Sequence, residues 1–170
     1  PMGPAFVKRR MIAELGPEWQ TRFKSFEPQA AASASLGQVH RAVAHDGAAL
    51  AVKLQYPDMQ SAVEADLNQL KIIFSIHARM DPAVDTTEII QEISARLREE
   101  LNYELEAKHT ELYGAIFQSS PSPQEGGGST TNIRVPTIFP ELSTKRLLTM
   151  SWLEGKPLVA FKSAPLEDRN

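Results

Sequence analysis

A period of two runs through residues 49–55, where Leu50, Val52 and Leu54 fall on one side and Ala49, Ala51, Lys53 and Gln55 on the other. The apolar side suits a core. The other side sets a small residue beside a lysine, which leaves room for a flat ligand with a cation beyond it. Pro57 ends this strand, and residues 27–43 predict two more strands around an alanine-rich turn. His45-Asp46-Gly47 is the hairpin signal, because Asp-Gly tolerates the positive backbone angles of such turns.

Helical spacing governs most of the rest. Residues 7–15 predict a short helix stopped by Gly16, with Pro17 opening the next. Trp19, Phe23 and Phe26 recur at helical spacing and are expected to pack. Residues 58–80 carry the stripe Val63, Leu67, Leu70 and Phe74, and Asp81-Pro82 breaks it. Residues 86–118 predict one long helix with Ile89, Ile93, Leu97, Leu101 and Leu105 drifting round its axis, capped by Thr86 or Thr87. Residues 119–132 are rich in Ser, Pro and Gly and predict a flexible loop, and residues 133–141 and 145–153 read as two further strands. The order is α+β: a small antiparallel sheet of about five strands with long helices.

Composition narrows the function classes. The 170 residues suffice for one domain with a sizeable core, and 42% apolar with 23% charged residues is ordinary for a soluble protein. A net charge of -3 gives no basic field for nucleic acid, and the absence of cysteine removes disulfides and thiolate metal sites. No apolar run approaches the roughly 20 residues that cross a bilayer. Pro1-Met2-Gly3-Pro4 lacks signal-peptide character, so this piece is expected to be soluble.

The candidate chemistry lies in residues 32–53. Ala32, Ala34 and Gly37 sit at the spacing of the three glycines in the protein-kinase loop G-x-G-x-x-G-x-V, with Val39 on its valine. Ala51-Val52-Lys53 matches the end of the kinase V-A-I-K strand. Two loop glycines have thus become alanine. Ala32, Ser33, Ala34, Ser35 and Gly37 are expected to cover phosphates with backbone N–H groups. Lys53 would neutralise phosphate oxygens, and a glutamate of the long helix would hold it; Glu106 is the candidate by its place in the Glu100–Ala107 family string quoted below. Glu100 and Asn102 are secondary candidates, and Asn102 is expected one turn before Glu106 on the same helix face. Val39 and Ala51 would roof an adenine, Met150 would back it, and the backbones of Ser151 and Leu153 would offer hydrogen bonds. The four histidines show no metal-site spacing, and His40 is expected to be structural.

Several strings together resemble the UbiB family of atypical, protein-kinase-like proteins, also called aarF-domain kinases. They are Ala32-Ser33-Ala34-Ser35-Leu36-Gly37-Gln38-Val39-His40-Arg41-Ala42, Ala51-Val52-Lys53-Leu54-Gln55-Tyr56-Pro57 and Glu100-Leu101-Asn102-Tyr103-Glu104-Leu105-Glu106-Ala107. Glu14-Leu15-Gly16-Pro17-Glu18-Trp19 and Thr149-Met150-Ser151-Trp152-Leu153-Glu154-Gly155 also fit. The resemblance implies a kinase-like amino-terminal lobe that binds ATP or ADP with Mg²⁺, and ATPase or atypical kinase chemistry supporting ubiquinone biosynthesis. It implies partners such as a quinone-precursor lipid, a membrane surface or quinone-biosynthesis proteins, reached through the parent protein, whose place would be cytoplasmic or peripheral to a membrane.

On that resemblance residues 1–26 are a helical lead-in following the family's K-x-G-Q region, residues 27–155 the lobe, and residues 156–170 the exit toward an absent carboxy-terminal lobe. The K-x-G-Q helix is itself absent, and the family's E-x-D motif reads Glu100-Leu101-Asn102, an amide replacing a carboxylate. No catalytic-loop aspartate or Asp-Phe-Gly occurs, so the metal ligands are expected in the absent lobe and the fragment alone is not expected to turn over ATP. One rival reading is a non-catalytic nucleotide sensor or a scaffold for a lipid or protein. Another is a helical interaction module with incidental likeness.

Overall fold

The computed structural model describes residues 1–80, 87–119, 133–155 and 159. Its elements are α1 (Pro4–Leu15), a 3-10 turn (Trp19–Arg22), β1 (Ser25–Ser33), β2 (Gly37–Val43), β3 (Ala49–Gln55), α2 (Met59–Met80), α3 (Thr87–Glu100), α4 (Tyr103–Ser119), a second 3-10 turn (Pro140–Leu142) and β4 (Leu147–Ser151). The four strands form one antiparallel sheet in the order β1-β2-β3-β4.

The alternation in β3 becomes the division between two cores. Leu50, Val52 and Leu54 are fully buried against Val7, Met11 and Leu15 of α1, joined by Trp19 and Phe23. On the opposite face Leu148, Ile138 and Tyr103 of α4 pack together with Met150 and Ala107 against them. A third cluster joins Val63 and Leu67 of α2 to Leu101, with Leu36 of the β1–β2 turn packed on it. The turn is thereby anchored to the helices as well as to the sheet. The β2–β3 hairpin follows its sequence signal: Gly47 has φ +92°, and Asp46 Oδ1 accepts the Ala48 N–H at 2.9 Å.

Three expectations need correction. The predicted helix over residues 86–118 is two helices, because Asn102 caps α4. Its Oδ1 accepts the Glu104 N–H at 3.2 Å, and its carbonyl accepts from Leu105 and Glu106 at 3.1 and 3.2 Å. Leu101 turns inward, and its carbonyl accepts the Gln55 Nε2 at 3.0 Å. The stretch 133–141 is not a strand: Pro136 and Pro140 lack N–H donors, and only the Ile138↔Met150 bridge joins it to the sheet. The helix expected from Pro17 is only the 3-10 turn Trp19–Arg22. The Asp81-Pro82 break, the Thr86 cap, residues 120–132 and nearly all of the exit segment 156–170 lie outside the described residues.

His40 is structural. Its ring is fully buried, stacks on Phe26 at 5.3 Å and lies 2.9 Å from both the Glu27 carbonyl and Gln38 Nε2. Gln38 also ties down the amino terminus, accepting the Met2 N–H at 2.6 Å and donating to the Met2 carbonyl at 3.2 Å. The amide therefore donates to His40 Nε2, and Nδ1–H donates to Glu27. Burial lowers the His40 pKa below its ordinary 6.5, although the Glu27 and Gln29 backbone bonds oppose the shift. Because the unfolded state then binds the proton more readily, stability is fully present above about pH 6.5 and falls as acid is added below it. His40→Gln should flatten that part of the stability–pH curve in chemical denaturation.

Candidate functional site

Lys53 leaves β3 on the face opposite the α1 core and meets α4. Its ammonium donates to both carboxylate oxygens of Glu106, at 2.7 and 2.8 Å, and sits 4.6 Å over the Tyr103 ring. The lysine side chain is 20% exposed and the glutamate 37%. The pair is shielded yet open on one side. Beside it lies a cavity of about 320 Å³ whose walls include Lys53, Glu99, Glu100 and Glu106.

The strand register places Val39 across from Lys53 and Ala51 across from Met150. Val39, Ala51, Lys53 and Met150 thus share one sheet face. Leu153 continues from the end of β4, half exposed, with no hydrogen bond among the described residues. Ser151 is placed differently from the expectation for its amide, which donates to the Thr137 carbonyl at 2.8 Å while its hydroxyl accepts the Thr137 N–H at 2.9 Å. That N–H is committed to the irregular stretch before β4.

The alanine-rich loop is shorter than expected. Ala32 and Ser33 belong to β1, opposite Val39 and Gln38, so the turn itself is only residues 34–36. The Ala34 N–H closes the turn on the Gly37 carbonyl at 2.9 Å, and the Leu36 carbonyl accepts from Tyr56 at 3.0 Å. The amides of Ser35 and Leu36 donate to no group among the described residues.

Glu100, at the end of α3, borders the same cavity as the Lys53–Glu106 pair. Asn102 does not. As the α4 cap it borders a second cavity with Lys145 and Arg146, so the expectation that it shares Glu106's face is corrected. The substituted amide still does what a cap requires, since Asn and Asp serve that position about equally.

Two features of the site escaped the sequence reading. Tyr103 is fully buried under the turn, and its hydroxyl has no hydrogen-bond partner among the described residues. Burial, then the nearby charges of Glu106 and Glu100, push its pKa well above the ordinary phenol range, so it stays neutral. The second is a clasp at the far end of the sheet. Arg41 stacks 4.2 Å over the Trp152 ring and lies 3.6 Å from Glu154, which accepts the Trp152 Nε1–H at 2.9 Å. Alternation along β2 already set Arg41 on the face of Val39. What lay across from it was not readable.

A lysine–glutamate pair joining the third strand of an antiparallel sheet to a helix, with a small-residue turn between the first two strands, defines the amino-terminal lobe of a kinase-like protein. The comparisons agree: the ABC1 atypical kinase-like domain matches residues 1–168. The chain belongs to that family, also called UbiB or AarF.

Among its relatives are the atypical kinase COQ8 of Saccharomyces cerevisiae, mitochondrial, 29% identical over 164 residues that make up 96% of this chain and 31% of that protein, and AarF domain-containing protein kinase 1 of Xenopus tropicalis, 34% identical over 84% of this chain and 25% of that protein. A solved structure, Rv3197 of Mycobacterium tuberculosis in complex with erythromycin, superposes with a TM-score of 0.82 at 30% identity, covering 99% of this chain and 40% of that one. The chain thus spans less than a third of these curated relatives.

Proposed function

We propose that this chain is the nucleotide-binding lobe of an atypical kinase or ATPase of the UbiB type, acting in a longer protein that supports quinone biosynthesis. The observation that carries the reading is the Lys53 ammonium, held by both oxygens of Glu106. Lys53 contacts α- and β-phosphate oxygens of ATP or ADP, and Glu106 keeps it aimed. The Ser35 and Leu36 amides cap the phosphates. Val39 and Ala51 cover the adenine, Met150 closes its back, and the Leu153 backbone meets its edge.

Mg²⁺, when bound with the nucleotide, neutralises phosphate charge. Among the described residues no group of three or more His, Cys, Asp or Glu side chains is placed to hold a metal ion. No described helix is long and apolar enough to cross a membrane. In the longer protein, a quinone-precursor lipid, a membrane surface or quinone-biosynthesis proteins are the further partners of this reading.

Calorimetric titration of the full-length protein with MgATP and MgADP, beside an ATP-hydrolysis assay, tests the reading; saturable binding is expected, and none contradicts it. Replacing Ala32 and Ala34 together by glycine loosens the hairpin's last pairs and is expected to change the ratio of the two affinities severalfold. Unchanged affinities for both nucleotides would remove the loop from the site.

A further inference from the structure

The second cavity, of about 320 Å³, lies where the end of β3, the start of α4 and the turn before β4 meet. No residue lines both it and the cavity beside Lys53. Its walls carry three cations, Arg98, Lys145 and Arg146, three amides, Gln55, Gln60 and Asn102, and no carboxylate. That composition is the reverse of the first cavity, which has three glutamates.

The frame of this cavity is fixed by backbone bonds. The Lys145 carbonyl accepts the Tyr103 N–H at 3.1 Å, and the Arg146 carbonyl accepts the Gln55 N–H at 3.1 Å. The turn bearing both cations is therefore bolted to α4 and to β3. Gln55 is 3% exposed and locked by its bond to the Leu101 carbonyl.

The cations are unequally compensated. Glu64 holds Arg98 at 2.7 and 3.0 Å, and Glu14 lies 3.7 Å from Arg146 while already bound to Arg10 and Thr144; neither glutamate lines the cavity. Lys145 forms no ion pair among the described residues. With Asn102 Oδ1 committed to the Glu104 N–H, its amide nitrogen remains a donor without a partner among the described residues. An aspartate at this position, as the E-x-D pattern has, would place a carboxylate among these cations. In this chain the lining carries positive charge and neutral amides and no carboxylate.

We propose that this cavity binds a phosphoryl group, carried either by a small soluble molecule or by a lipid headgroup, at a site separate from the nucleotide. Lys145 and Arg146 contact the anion directly, and the Asn102 amide donates to it. The proposal stands whether or not Lys53 holds a nucleotide.

The test uses the full-length protein and two probes: inorganic pyrophosphate, and phosphatidylcholine vesicles with and without phosphatidylglycerol. Saturable binding of pyrophosphate, or of the phosphatidylglycerol vesicles alone, is expected; the first assigns the site to a soluble ligand and the second to a headgroup. Lys145→Gln combined with Arg146→Gln should weaken that binding about tenfold. Both side chains are exposed, the turn is held by their backbone bonds, and the one side-chain pair lost is the 3.7 Å contact of Arg146 with Glu14, which Arg10 and Thr144 still hold, so the fold is retained. Asn102→Asp, which keeps the helix cap, should weaken it as well. MgADP affinity, measured in parallel on the Lys145/Arg146 variant, should not change, which separates this site from the nucleotide reading. Absence of binding to either probe, or binding that none of these substitutions alters, overturns the proposal.

Discussion

Lys53→Ala is expected to lower MgATP and MgADP affinity by about 10- to 100-fold while hardly moving the thermal midpoint. The asymmetry follows from where each interaction is made. A lysine–phosphate contact is a charge-assisted hydrogen bond, and losing one costs roughly 1.5–3 kcal/mol, each 1.4 kcal/mol being tenfold in affinity. For folding, Lys53 contributes a partly exposed ion pair, and Glu106, 37% exposed, can be solvated once its partner is gone. Such pairs are worth about 0–1 kcal/mol. Isothermal titration with a parallel melting curve separates the two effects. An interaction module with only incidental likeness to kinases would show no change in affinity, and there would be none to lose.

Gly37→Ala is expected to act through folding instead, destabilising the lobe by about 1–3 kcal/mol, the range for forcing extra volume into packed structure. A Cβ at this position would overlap the Leu54 carbonyl oxygen and lie 2.9 Å from the Tyr103 hydroxyl. The first obstacle is backbone of the central strand, so a rotamer change cannot relieve it. Tyr103→Phe in the same chain removes the second obstacle together with an unsatisfied buried hydroxyl, and should recover only part of the loss. Urea denaturation of the two variants measures both numbers. Full recovery by Tyr103→Phe would mean that the strand contact is not the controlling one.

Gly37 also shows what the sequence made legible. Spacing marked it as a loop glycine, a position where glycine ordinarily serves backbone freedom and close approach to a ligand. Its φ is not positive; the glycine is needed because β3 and Tyr103 come too near for a side chain. Local pattern located the position, but the reason lay in residues 17 and 66 positions away, which no local pattern encodes. β3 was readable for the opposite reason, since its core face and its cation follow from alternation alone.

Helix α3 and helix α4 looked continuous because Leu97, Leu101 and Leu105 keep helical spacing across the junction. The cap at Asn102 was the available signal, and an apolar stripe outweighed it. Pro136 and Pro140 likewise warned against a fifth strand. Glu106 was chosen from a run of acids by its place in a family string, and its position opposite Lys53 depends on the α3–α4 break setting the phase of α4. Arg41, Trp152 and Glu154 needed coordinates, because residues over a hundred positions apart form that clasp.

On the proposed function, Lys53 and Glu106 form the phosphate end of a nucleotide site. A crystal structure of the full-length protein with MgADP tests it most directly. Phosphate oxygens are expected within hydrogen-bonding distance of Lys53 Nζ, beneath the amides of Ser35 and Leu36, with Glu106 still on the lysine. Nucleotide bound elsewhere, with the Lys53–Glu106 pair facing only solvent, would contradict it.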